Sequence, residues 1–155
     1  MEKYKDLIFL SAELPGDIPA GGPRPVPETV PVFAYGKTRY EKGGKIAEYE
    51  FLESDADRLM TDFARGGVDI PVDYNHQQLR AKENGRPAPA AGWITALEKG
   101  PSGLMCKVKW TDAAAAMIAA GEYRYTSPTF YRTEDGKVAA LYNLSLTNKP
   151  ATLGC

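Results

Sequence analysis

The chain of 155 residues has one histidine and two cysteines, Cys106 and Cys155, with no CxxC pair. A His-rich metal cluster is impossible, and no histidine near either cysteine completes a zinc site, so no metal is expected. Charge of one sign is also missing: 19 Lys and Arg stand against 20 Asp and Glu, for a formal net charge of −1. No positive field recruits a phosphate backbone, and nucleic acid is not an expected partner. The apolar stretch Leu7 to Leu10 is far shorter than a leader core or a membrane span, so no membrane association is expected and the protein is placed in the cytoplasm. GxGxxG, GxxxxGK[ST] and GxSxG do not occur, which removes the dinucleotide, P-loop and α/β-hydrolase turns. No cofactor is expected.

What is present is a globular composition, 43% hydrophobic and 25% charged, at about the length of one domain. Half of the 12 prolines (Pro15, Pro19, Pro23, Pro25, Pro27 and Pro31) crowd together with Gly16, Gly21 and Gly22. Residues 1–31 therefore read as a short strand, Leu7 to Ser11, followed by an irregular arm, and residues 32–155 as the compact domain. Strands are expected from Pro31 to Tyr40 and Lys45 to Phe51, joined by a Gly-containing hairpin. Ser54 is the expected N-cap of a helix whose Ala56, Leu59, Met60 and Phe63 share one face and which stops at Gly66-Gly67.

Val68, Ile70, Val72 and Tyr74 alternate with polar residues or proline as a half-buried strand does, and His76 continues their parity. Residues Gln77 to Ala90 read as a long loop, a candidate cover for a site. Further strands are expected from Ala91 to Lys99, Gly103 to Trp110, Tyr123 to Arg132 and Val138 to Thr147, with a second helix from Thr111 or Asp112 to Ala120. The expected fold class is α+β, an antiparallel β-barrel of about seven strands with two or more flanking helices.

An imidazole with an ordinary pKa near ~6.5 is the natural neutral-pH base, and His76 is the one available. A lone histidine at a strand end is equally read as a structural residue. Its nucleophile must come from elsewhere in the sequence. Cys106 shares a parity with Leu104, Val108 and Trp110 and reads as core filling. Ser145 lies in a late strand beside Asn143 and Thr147. Ser127 precedes Pro128, a step that breaks a strand ladder, so it reads either as an ordinary turn serine or as an accessible nucleophile. Pro128 has no N–H, so oxyanion donors would come from Ser127 itself, another loop, Arg124 or a water.

Val72 through Gln77, Ala91 through Ile94, Gly103-Leu104, Lys109 through Thr111, Tyr123 through Phe130 and Leu146 through Ala151 together resemble the Mu-like prophage I protein family, the protease and scaffold proteins of Mu-type phages. The likeness runs over about residues 32–151. This family is similar to the tailed-phage prohead proteases and, more distantly, to the herpesvirus assemblins, serine proteases on a β-barrel. The resemblance implies a capsid-maturation serine endopeptidase acting on scaffold and major capsid proteins, and on itself, inside the procapsid in the bacterial host cytoplasm, with self-association. It implies His76 as base and Ser127, 51 positions later, as nucleophile. Many prohead proteases carry Glu-x-Ser where this chain has Asn143-Leu144-Ser145. Asn143 is thus the expected orienter of His76, with Asp73 as the alternative third member; Asp73 has the wrong strand parity unless the chain bends at Asn75. The competing reading is a catalytically inactive scaffold or assembly protein that retains the protease fold.

Overall fold

A computed structural model describes residues 6–9, 12–14, 23–42 and 44–148. Leu10-Ser11 of the expected first strand, Pro15 and Pro19 of the arm, Pro150-Ala151 and Cys155 lie outside them. Among the described residues ten strands and three helices follow in the order β1 (Asp6–Phe9), β2 (Ala12–Glu13), β3 (Thr29–Ala34), β4 (Gly36–Lys42), β5 (Lys45–Phe51), α1 (Glu53–Gly66), β6 (Ile70–Tyr74), α2 (Gln77–Asn84), β7 (Gly92–Lys99), β8 (Gly103–Trp110), α3 (Asp112–Ala119), β9 (Tyr125–Arg132) and β10 (Val138–Thr147). One sheet runs β1-β9-β10-β6-β7-β8-β3, with β2 also on β9, and β4-β5 form a separate hairpin.

The alternation of apolar and polar residues places Val72, Ile94, Leu104, Cys106, Val108, Phe130, Leu144 and Leu146 in one buried core. The sheet curls until its ends approach: the Phe33 ring on β3 meets the Phe130 ring on β9 edge-on, centroids 5.1 Å apart. Phe51 on β5 lies 5.0 Å from Phe33, and Tyr49 lies 5.4 Å from Phe130, so the β4-β5 hairpin seals the interior. Each fully buried aromatic ring contributes about 1.5–3 kcal/mol of transfer free energy. The fold is α+β on a nearly closed, barrel-like sheet.

Four expectations are corrected locally. The sheet is mixed, because β10 lies parallel beside β6, with Ser145 opposite Asp73. The strand expected from Pro31 to Tyr40 is two strands, broken at Tyr35, and the second opens on Gly36, whose φ of +95° suits a residue without Cβ. Helix α1 starts two residues earlier than Ser54 suggests: Leu52 is the N-cap residue, and its N–H donates to the Asp55 carboxylate at 2.8 Å. The loop expected after His76 contains α2, built from good helix formers and closed by Gly85 in the left-handed region. It has no buried residue, which is why no apolar period announced it.

Candidate active site

Strands β6, β10 and β9 are neighbours, and directly opposed residues present their side chains on one face. Ser127 on β9 stands opposite Ser145 on β10, and Ser145 stands opposite Asp73 on β6. In the next row Thr129 stands opposite Asn143. The alternate positions Phe130, Leu144, Leu146 and Val72 fill the core, so the same strands carry an apolar interior and a polar row. This row is not wet: Asp73 is 2% exposed, Ser127 1%, and Thr129, Asn143 and Ser145 0%. Polar groups so buried must find partners or cost free energy.

His76 reaches the row through a bend. Asn75 and His76 have φ of 53° and 59°, both left-handed. A non-glycine residue there costs roughly 1–2 kcal/mol, with Asn among the tolerant types. Three bonds hold the bend: Asn75 N–H to the Leu146 carbonyl at 2.9 Å, Asn75 Nδ2 to the Tyr123 hydroxyl at 3.1 Å, and His76 N–H to Ser145 Oγ at 3.2 Å. The imidazole then lies with Nε2 3.1 Å from Ser127 Oγ. Its Nδ1 is 3.0 Å from Ser145 Oγ and 3.1 Å from Thr129 Oγ1. Ser145 Oγ in turn donates to Asp73 Oδ1, and Asp73 Oδ2 accepts the Gln78 N–H at 2.8 Å.

Of the four residues singled out by sequence, Ser127, His76 and Asp73 are brought into one hydrogen-bonded group. Asn143 is not part of it. Its Nδ2 donates to Gln78 Oε1 at 2.9 Å, and its Oδ1 has no hydrogen-bond partner among the described residues. The parity objection to Asp73 is removed by the bend at Asn75-His76, which returns the imidazole to the Asp73 side. Ser145 and Thr129, which fill the Nδ1 side, were missed as partners of His76. The signal for Ser145 was its place two residues after Asn143 on the same strand face.

Burial pushes the His76 pKa below its ordinary value, Asp73 pulls it up and Arg80 pushes it down. The net effect favours the neutral imidazole over the charged one. Burial drives the Cys106 thiol up to about 12, in keeping with a core residue. The Arg124 guanidinium lies 5.9 Å from the centroid of the Tyr125 ring. On the outer side of β9, β1 pairs with Thr129 to Arg132 and β2 with Tyr125 and Thr126, so the two registers leave Ser127-Pro128 between them. Among the described residues no group of three His, Cys, Asp or Glu could hold a metal ion, and no helix is long and apolar enough to cross a membrane.

Residues 30–154 match the family model of the Mu-like prophage I protein, N-terminal domain. The chain is 38% identical to Protease I of Escherichia phage Mu over 106 residues, covering 64% of this chain and 29% of that protein. It is 34% identical to the Mu-like prophage FluMu I protein of Haemophilus influenzae over 95 residues, 56% of this chain and 27% of the relative. The aligned region thus covers less than a third of either relative's length. No solved structure matches. With four-fifths of its residues inside that match, the chain belongs to the Mu-like prophage I protein family.

Proposed function

We propose that this chain is a phage serine endopeptidase of capsid maturation, with Ser127 as nucleophile and His76 as general base. The observation that carries the reading is the 3.1 Å contact between Ser127 Oγ and Nε2 of the only imidazole in the chain. That separation lies within proton-transfer reach. The name of the phage Mu relative, Protease I, supports the reaction class.

In the proposed reaction Nε2 takes the Ser127 proton as Oγ bonds to the scissile carbonyl carbon. The same proton passes to the leaving amine as the C–N bond breaks, and water then hydrolyses the acyl-serine by the reverse roles. With no N–H on Pro128, the residue after the nucleophile donates nothing to the oxyanion. The substrates are extended segments of scaffold and capsid polypeptides or of a second copy, and the site of action is the procapsid in the host cytoplasm.

A fluorophosphonate probe followed by intact-mass and peptide mapping tests this. One adduct on Ser127 is expected, absent in Ser127→Ala and slowed at least ~10²-fold in His76→Ala. Ser127 is only 1% exposed, which favours the second reading, an assembly protein that keeps the fold without turnover. Absence of any adduct selects that reading, and labelling elsewhere removes Ser127 as the nucleophile.

A further inference from the structure

We propose that Ser145, seated between Asp73 and His76, fixes the imidazole in the tautomer that carries its proton on Nδ1 and presents an unprotonated Nε2 to Ser127. The protons and lone pairs of Ser145 decide the assignment. A serine hydroxyl has one proton to give and two lone pairs to receive. As a carboxylate, Asp73 only accepts, so the bond from Ser145 Oγ to Asp73 Oδ1 uses the serine's single proton. The His76 backbone N–H only donates, and at 3.2 Å it takes one lone pair of Ser145 Oγ. The remaining lone pair faces Nδ1 at 3.0 Å, and that contact is a hydrogen bond only if Nδ1 brings the proton.

Among the described residues Thr129 Oγ1, 3.1 Å from Nδ1, favours the opposite assignment, by donating its own proton to a bare Nδ1. That arrangement would set the lone pairs of Nδ1 and the fully buried Ser145 Oγ against each other at 3.0 Å. Thr129 is therefore a second acceptor beside Ser145. The carboxylate acts on the imidazole through a hydroxyl, and Ser145 and Asp73 are positioning residues. Gln78 N–H, at 2.8 Å from Asp73 Oδ2, fixes the carboxylate at the far end of the chain. The charged groups acting on His76 are Asp73 on β6 and Arg80 on α2, while β9 and β10 face it with the hydroxyls of Ser127, Thr129 and Ser145.

The catalytic use of this arrangement rests on the endopeptidase reading, but the tautomer does not, so the two fail separately. Because the chain has one histidine, selective ¹⁵N-histidine labelling gives a single imidazole spin system. A long-range ¹H–¹⁵N spectrum of the full chain above the His76 pKa is expected to show a protonated Nδ1 and a bare Nε2. The tautomer preference should be lost in Ser145→Ala and Asp73→Asn, return in Ser145→Thr, and persist in Thr129→Val.

Fluorophosphonate labelling of Ser127 should fall about 10²-fold or more in Ser145→Ala, since a misassigned imidazole proton removes the base. Ser145→Thr should recover most of it, and the acid limb of the rate profile should move to lower pH in Asp73→Asn. A wild-type spectrum with the proton on Nε2 overturns the proposal without recourse to any variant. So does an unchanged tautomer in folded Ser145→Ala. A protonated Nδ1 together with an unlabelled Ser127 would leave the tautomer standing and remove the endopeptidase.

Discussion

Replacing Asn143 by leucine separates a neighbour of the site from a member of it. Asn143 is fully buried, and its Nδ2 bonds Gln78 Oε1 on exposed α2 at 2.9 Å. Losing that bond costs about 0.5–1.5 kcal/mol, and the freed Gln78 amide is rehydrated at the surface. Its Oδ1 has no hydrogen-bond partner among the described residues, and removing such a buried acceptor returns about 1–3 kcal/mol. Leucine has a similar volume, so little repacking is added. The expected net effect of Asn143→Leu lies between about 0.5 kcal/mol of lost and about 2.5 kcal/mol of added stability, read as the urea midpoint at constant slope. Fluorophosphonate labelling of Ser127 should stay within about fivefold of wild type, because the Nδ1 contacts of His76 go to Ser145 and Thr129. A labelling rate lowered ~10²-fold in a folded Asn143→Leu protein would restore Asn143 as the orienter and refute the accounting of hydrogen bonds made above.

Two further outcomes follow from the packing and from the imidazole. A Cβ at Gly103 would overlap the Phe33 carbonyl oxygen and sit 2.9 Å from Ala34 Cα, both backbone of the paired strand β3. Gly103→Ala is expected to cost about 3 kcal/mol, seen as a lower urea midpoint, whereas an unchanged midpoint would mean that β3 is free to move away. His76 holds its proton less tightly when folded than its ordinary value of 6.5. Below that value the unfolded chain binds more protons, so stability should fall as pH drops through 6.5 toward the folded pKa. The difference in urea midpoint between wild type and His76→Gln, measured from pH ~7.5 to ~5, isolates this contribution, and a pH-independent difference would contradict the burial of the imidazole.

Strand positions were legible because β7 and β8 alternate apolar and polar residues around the turn at Gly100 to Gly103, the period of a half-buried sheet. The end of α1 was legible for a similar reason, in that Gly67 occupies the left-handed region as a helix-terminating glycine does. Helix α2 was hidden because it buries nothing and so leaves no apolar trace. The parallel pairing of β10 with β6 was hidden because register between distant strands is set by the whole core. At the site, the approach of His76 to Ser127 followed from a family likeness. The link from Asp73 through Ser145 required two consecutive left-handed residues that no periodicity encodes, although Asn75 is a residue type that tolerates the turn.

The left-handed pair has a mechanical consequence. His76 is both the base candidate and the residue from which α2 springs, and its carbonyl accepts the Leu79 N–H at 3.1 Å in the helix's first turn. A surface helix rooted on the imidazole-bearing residue is joined to the polar row twice, at His76 itself and at Gln78, whose N–H is held by Asp73 Oδ2. The candidate site is thereby tied to an element that has almost no weight in the core.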